Sequence, residues 1–306
     1  MQIGVTQYRA GSSNAVPLIL IHGFPVDHRM WDAAAEALTQ LTAPTTGSAT
    51  NSDSETPSPD LSRVPIFAFE MPGAGATPVP EHGEFGPVAA DGAYPDALDD
   101  MATAMVEQLN ALGFSKAIWV GLSMGGYVAF AIQRLFPKAV AGLGICDSKT
   151  DADSAESRAN RLRVAQEAED GAGWRTVMHF AEPGPKDSMV KKSTEFITTF
   201  IDWIHDQTPE GIAWRQRMAA GRPDQADVLS TIDVPTLLLS GELDPSSPPE
   251  KMRPYVSRIP GVRGVPRAFL VEVPDAGHFT AVEQPTKTAA ALVELLERVA
   301  AASSRS

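Results

Sequence analysis

Cysteine is almost absent from this chain. Cys146 stands alone among 306 residues, so no intrachain disulfide can form and a disulfide framework is excluded. A reducing compartment is the simplest fit, and the chain reads as cytoplasmic. Basic residues are also in short supply. Lys plus Arg number 25 against 38 for Asp plus Glu, a net charge of −13. That deficit argues against nucleic acid and against anionic membrane surfaces, both of which are met with basic patches. No apolar run approaches the ~20 residues of a membrane span. The opening "MQIGVTQYRAGSSN" lacks the basic and apolar regions of a signal peptide. These absences leave an acidic, soluble protein as the simplest reading.

What is present is a regular alternation. Hydrophobic residues make up 43% of the chain, enough for a large core. Short apolar runs read as buried strands: "VPLILIHG" (16–23), "VPIFAFEMPG" (64–73), 117–121, "AVAGLGIC" (139–146), "PTLLLSG" (235–241) and "AFLVEVP" (268–274). Amphipathic stretches separate them. "WDAAAEALTQL" (31–41) sets Trp31, Ala35, Leu38 and Leu41 on one face, and "DALDDMATAMVEQLNALG" carries Leu98, Met101, Met105, Leu109 and Leu112 at helical spacing. A helix runs from 124 to near Pro137, and "PTKTAAALVELLERVA" closes the chain. The β-α-β-α order predicts an α/β fold, a mostly parallel twisted sheet with helices on both faces.

One interval breaks the alternation. Residues 148–230 hold no convincing strand. "SMVKKSTEFITTFIDWIHDQ" places Met189, Phe196, Phe200 and Ile204 on one stripe. "TPEGIAWRQRMAAG" has Thr208 at an N-cap position, Pro209 at the first helical position and Gly221 past the end. The interval is read as a helical insertion before the last two strands. It divides the chain into a core of 1–147 and 231–306 and an inserted unit of 148–230. The Ser/Thr/Pro-rich tract 42–63 is expected to be a flexible inserted loop. It runs from a helix into a strand, so it belongs at the sheet edge opposite the ligand-binding one. The loop 74–95 and the insertion both follow strands, on the correct edge to wall a pocket.

The chemistry centres on "GLSMG", residues 121–125, which matches the G-x-S-x-G elbow. A serine there sits in a tight strand-to-helix turn, and a side chain at either glycine would crowd it. A plain Gly/Ser turn meets the same pattern, so the motif alone leaves the question open. A serine hydroxyl is a weak nucleophile without a base, and the base needs an orienting carboxylate. Asp244 follows one strand end in "GELDPSSPP", and His278 follows the next in "DAGHF". Taken singly, Asp244 could be a loop cap and His278 a buried loop histidine. Serine, acid and base at three strand ends, in this order, make a joint coincidence improbable. Acyl transfer also needs N–H donors for an oxyanion. Met124, just after the serine, supplies one, and Phe24 in "LILIHGFP" is the natural second. His22 is read as shaping that loop.

"HGFP", "MPGAGAT", "GLSMGG", "GELD" and "AGHF" together resemble the α/β-hydrolase superfamily, over nearly the whole chain. "FPVDHRMW", "GLSMGGYVA" and the start of the insertion look closest to its carboxylesterase and 3-oxoadipate enol-lactonase-like branch. The resemblance implies Ser123 as nucleophile, His278 as base, Asp244 as acid, and the N–H groups of Phe24 and Met124 as oxyanion donors. It implies that 148–230 is a helical cap, and that no metal or organic cofactor takes part. Asp147 lies where some relatives carry the acid, although Asp244 fits better. Cys146 reads as a small core residue. Dehalogenases and epoxide hydrolases carry a carboxylate where this chain has Ser123, and the insertion lacks the tyrosines used in epoxide opening. The implied activity is hydrolysis of an ester of a small or aromatic acid, hydroxycinnamate esters included, through an acyl-enzyme. Enol-lactonase and thioesterase activity would use the same residues, and a non-catalytic ligand-binding relative is the contrasting reading. Trp174, Phe180, Phe196, Phe200, Trp203 and Trp214 of the insertion are expected mostly to pack it in place, with one or two facing substrate.

Overall fold

Seven strands form one sheet in the order β1-β3-β2-β4-β5-β6-β7. They are β1 (Val5–Arg9), β2 (Leu18–Ile21), β3 (Ile66–Phe69), β4 (Ala117–Leu122), β5 (Val140–Cys146), β6 (Thr236–Gly241) and β7 (Ala268–Val273). The computed structural model describes residues 1–44, 59–75, 77–81, 83–261 and 266–304, so most of the tract expected to be a flexible loop lies outside the described residues. Every neighbouring pair is parallel except β1 with β3. β1 is the strand that the apolar-run reading missed. Its residues, VTQYR, are all exposed or half-buried, so it carries no apolar run to be seen.

All residues of β2, β3, β4 and β6 are buried. A strand buried on both sides needs a helical layer on each face. The covering helices are α1 (Asp32–Leu41), α2 (Ala97–Ala111), α3 (Met124–Leu135), α7 (Pro249–Arg258), the single turn α8 (Thr280–Glu283) and α9 (Pro285–Ser303), with α1 packed on α9 and α2 on α3. Leu41 was expected on the buried stripe of α1 but is 53% exposed; it is the last residue of the helix, and Leu38 is the last buried position of the stripe.

The strand order decides where a site can form. From β2 the chain steps to β3 on one side, then returns across β2 to place β4 on the other. At such a switch point the loops leaving two adjacent parallel strands turn in opposite directions and open a crevice. Here those loops carry Phe24 and Ser123.

Between β5 and β6 lie α4 (Ala155–Glu167), α5 (Thr194–His205) and α6 (Pro209–Gly221). Each begins at a hydroxyl cap. Ser154 accepts from the Ser157 N–H, Ser193 from Phe196 and Thr208 from Gly211, satisfying N–H groups that lack helical partners. The stripe expected from Met189 is shorter than its spacing suggests. The Ser193 cap starts α5 after Met189, which sits in a turn and is 71% exposed. Phe196, Phe200 and Ile204 do form its buried face.

Arg215 of α6 fastens this layer to the sheet end. Its fully buried guanidinium donates to the carbonyls of Pro25 (3.3 Å) and Val26 (3.0 Å) beyond β2, of Gly73 (3.3 Å) beyond β3, and to Gln207 Oε1 (2.8 Å). Burial pulls its pKa down to about 10, which leaves the charge in place at neutral pH. Arg215→Met should therefore cost about 2–4 kcal/mol in urea unfolding, since it strands several buried carbonyls. Arg163→Ala, which breaks an exposed pair with Glu167, should cost under about 0.5 kcal/mol. Equal losses would show that Arg215 is not a fastening.

Candidate active site

Ser123 occupies the bend between β4 and α3 with φ 54° and ψ −111°, a region that L-residues enter only under constraint. The constraint is a crossing of backbones. A Cβ at Gly121 would lie 2.0 Å from the Gly125 carbonyl oxygen, and one at Gly125 would lie 2.3 Å from the carbonyl oxygen of Ile21. Hydrogen bonds then fix the bend. The Ser123 N–H donates to the Cys146 carbonyl (2.8 Å), and Ser148 Oγ donates to the Ser123 carbonyl (2.7 Å). Ser148, on the loop after β5, was not singled out from sequence, because nothing in its local pattern reveals a partner 25 residues away.

The three residues expected to act together are in contact. Ser123 Oγ is 2.8 Å from His278 Nε2, and His278 Nδ1 is 3.0 Å from Asp244 Oδ1. That aspartate oxygen also accepts the Ser246 N–H at 2.8 Å. Burial pushes the Asp244 carboxyl up, but the charge and hydrogen bond of His278 outweigh it and hold its pKa below the usual value. For His278, burial works downward, and the Asp244 carboxylate more than offsets it, so the imidazole pKa lies above its ordinary value. Asp147 is turned elsewhere. Its Oδ1 accepts the Gly241 N–H (2.9 Å), and its Oδ2 accepts from the backbone and hydroxyl of Thr280. Burial, with the nearby Asp244 charge, drives its pKa well up.

Phe24 faces the serine from the loop after β2. His22 braces that loop, with Nε2 accepting the Met71 N–H (2.9 Å) and Nδ1 3.0 Å from the Gly23 carbonyl. Arg215 holds the carbonyls of the next two residues, as above. Met124 is the first residue of α3, where the N–H has no acceptor within the helix. Behind the loop, Asp27, His28 and Glu70 bring ligand-type atoms within 4.8 Å of one another. Their charges are already paired: both Asp27 oxygens accept from Arg29 (2.8 and 2.7 Å), and Glu70 accepts from His28. The cluster is an ion-pair network that stiffens the loop.

Ser123, Met124, Phe24 and His278 line a cavity of about 300 Å³. Tyr127, Phe180, Pro245 and Phe279 add apolar wall, while Arg161, His179, Asp187, Lys191 and Ser246 add polar wall. Of the six insertion aromatics, Phe180 is the one on this lining. Phe196 and Phe200 stack on each other (4.9 Å), Trp174 meets His205 (4.2 Å), and Trp214 packs on Phe85 and Tyr94. Trp203 packs on Phe200 at 5.7 Å. Phe85 and Tyr94 belong to the loop 74–95. Among its described residues none lines the cavity, so this loop serves α6 instead of the pocket. Arg161 and Lys191 were invisible from sequence, since each sits among other charges with no motif around it.

The sequence model of the alpha/beta hydrolase family matches residues 18–291, and the chain belongs to that family. Solved structures agree. An esterase from Thermogutta terrifontis, solved with malate bound, is 30% identical and superposes with a TM-score of 0.74, covering 97% of this chain and 93% of that one. The enol-lactonase of Burkholderia xenovorans LB400 shares the fold at 17% identity, with a TM-score of 0.72 and 96% of each chain covered. A carboxylesterase of the thaumarchaeon Nitrososphaera gargenis shares it at 15% identity and a TM-score of 0.74, over 98% of this chain and 97% of that one. Among curated protein sequences no relative matches. No helix among the described residues is long and apolar enough to cross a membrane.

The backbone crossing predicts an intolerant position. Gly125→Ala should lower stability by about 3 kcal/mol or more, or abolish soluble expression, because the added methyl meets a carbonyl that belongs to a central strand. Urea unfolding of the soluble fraction measures it, and parent-like stability would show that α3 can shift.

Proposed function

We propose that this protein is a serine hydrolase that cleaves a carboxylic ester of a small or aromatic acid through an acyl-enzyme. The observation that carries the reading is the unbroken contact from Ser123 Oγ through the His278 ring to Asp244 Oδ1, at 2.8 and 3.0 Å. His278 takes the hydroxyl proton as Ser123 attacks the ester carbonyl. Asp244 keeps Nδ1 protonated, so Nε2 is the free base, and it stabilises the imidazolium that forms. The N–H groups of Phe24 and Met124 receive the oxyanion. The tetrahedral adduct collapses as His278 returns its proton to the departing alcohol, which leaves the acyl group on Ser123. Water, deprotonated by His278, then releases the acid and restores the serine. Residues 148–230 act as a cap that closes the acyl pocket, with Phe180 against the substrate. A purely ligand-binding role would leave the Ser123–His278 contact without a use.

A second reading concerns an acidic substrate, such as an enol-lactone carrying a carboxylate. Arg161 and Lys191, from separate segments of the insertion, both line the cavity. Arg161 spends Nε on Asp153 and Nη1 on Gln216, and Lys191 pairs with Asp187 at 3.1 Å. Asp153 is also paired with Arg222, so two guanidinium groups share one carboxylate and leave a net positive charge beside the pocket. The Thermogutta terrifontis esterase, 30% identical, was solved with malate, a small dicarboxylate, bound.

A panel of chromogenic esters of varied acyl length, run on the parent and Ser123→Ala, tests the primary reading. The variant should lose at least about 10⁴-fold in kcat/KM, and a serine-directed phosphonate should label only the parent. Comparable turnover in both proteins sinks the serine mechanism. For the acidic substrate, the ratio of kcat/KM for a carboxylate-bearing ester over its neutral isostere should fall about 10- to 100-fold in Arg161→Met or Lys191→Met, the worth of one charge-assisted hydrogen bond. An unchanged ratio in both variants rejects it.

A further inference from the structure

Glu283 ends the single turn α8, five residues beyond His278, and is buried. Its carboxylate reaches back along the chain. Oε2 accepts the Gly277 N–H at 2.7 Å, and Oε1 accepts the Phe279 N–H at 3.0 Å. Those two peptides flank His278. One carboxylate thus grips the backbone on both sides of the imidazole. The same Oε2 accepts the hydroxyl of Ser188, a fully buried residue of the 148–230 insertion. A second tie lies alongside, from the Met189 N–H to Asp275 Oδ1 at 3.0 Å. The turn so anchored continues directly to Lys191 on the cavity wall, whose N–H donates to Ser188 Oγ at 3.0 Å.

We propose that Glu283 is a positioning residue that sets the place of the His278 ring and joins it to the seat of the helical insertion. The chemistry of the group matters. A carboxylate accepts three donors at this spot and has none of its own. Glutamine would offer one acceptor oxygen and turn an amide N–H₂ towards either Gly277 and Ser188 or Phe279, so at least one donor would face another donor. Glu283 also adds negative charge near the ring. The other groups that face His278 are Asp244 from the loop after β6, Asp147 from the loop after β5 and Ser123 at the elbow. Across the cavity stand His179, Asp187, Lys191 and Arg161. Asp244 and Glu283 both favour the imidazolium. A base must be neutral to act, so activity is lost as pH falls through the His278 pKa. Removing one of these negative charges moves that acid limb to lower pH.

The test uses the full chain and the chromogenic ester that the parent turns over best. Glu283→Gln should lower kcat about 10- to 100-fold with little change in KM, the scale of a misplaced catalytic group. Its acid limb in kcat/KM should move down by about half a pH unit. Glu283→Asp keeps the charge but stops short of the two N–H groups. It should lose kcat likewise and hold its acid limb nearer the parent's. A folded Glu283→Gln enzyme with parent kcat overturns the proposal, as does one that loses kcat with its acid limb unmoved, which would make the role structural alone. If the Glu283 variants do not fold, Ser188→Ala decides, since it removes a single donor and leaves the carboxylate. A drop in kcat at constant KM upholds the link to the insertion, and parent kcat overturns it. The proposal rests on His278 being the base. Failure of that assignment is seen separately, as a parent inert to every ester and to the phosphonate, whereas an active parent with unaltered variants defeats only the role of Glu283.

Discussion

A close approach of backbones where α3 begins is the constraint on which the site depends. The first turn of that helix is pressed between the ends of β2 and β4 with no room for a Cβ at Gly121 or Gly125. Because the helix cannot back away, the residue between strand and helix has to turn through a positive φ, and its side chain is left standing clear of the sheet. Strain of this kind persists only where the surroundings over-determine it. Here the over-determination comes from a parallel sheet whose central strands are buried on both faces, and from hydrogen bonds to Cys146 and Ser148 on the neighbouring strand end.

A second constraint is that the loops bearing Phe24, Asp244 and His278 have very little regular structure of their own. Each is tied down by a buried ionisable side chain lying outside the proposed triad. Arg215 binds carbonyls of the loop that carries Phe24. Asp147 spans the end of β6 and Thr280. Glu283 takes the N–H groups on both sides of His278. Two of these, Arg215 and Glu283, tie the 148–230 insertion to the loops after β2 and around His278. Arg215 and Glu283 each join several donors or acceptors at once, and such buried networks lose more than the sum of their parts when a member is left unsatisfied.

The cavity itself is neither a narrow apolar slot nor a small pocket closed by paired arginines. Phe180, Phe279, Tyr127 and Phe24 make an aromatic wall, and Arg161, Lys191 and Asp187 make a charged one. Under the proposed ester hydrolysis, an acyl group with a flat body and a polar end meets both walls. This links the two substrate readings, because an aromatic acid and a carboxylate-bearing lactone differ in which wall they use most.

Much of this was legible in the chain. Strands of unbroken apolar residues announce a parallel sheet, since only such a sheet buries both faces of a strand. Glycines bracketing Ser123 announce the elbow, because a side chain there has nowhere to go. The order of Ser123, Asp244 and His278 at successive strand ends follows from local pattern alone, and so do Thr208 and Pro209 at the start of α6. β1 was hidden because an edge strand with one paired side needs no apolar run, and Met189 misled because helical spacing continues past the point where a Ser193 cap begins the helix. Arg215, Glu283, Ser148, Arg161 and Lys191 were illegible for a common reason. Each is an ordinary polar residue in its own neighbourhood, and its meaning comes from partners brought near by the fold, 142 residues away for Arg215 and Gly73 and 95 for Glu283 and Ser188. Local sterics and hydrophobic burial act through neighbours in sequence, so the chain by itself determined the sheet, the elbow and the order of Ser123, Asp244 and His278. Satisfying a buried charge requires whatever donor or acceptor the fold delivers, and only the tertiary structure decided how the loops are held and what lines the pocket.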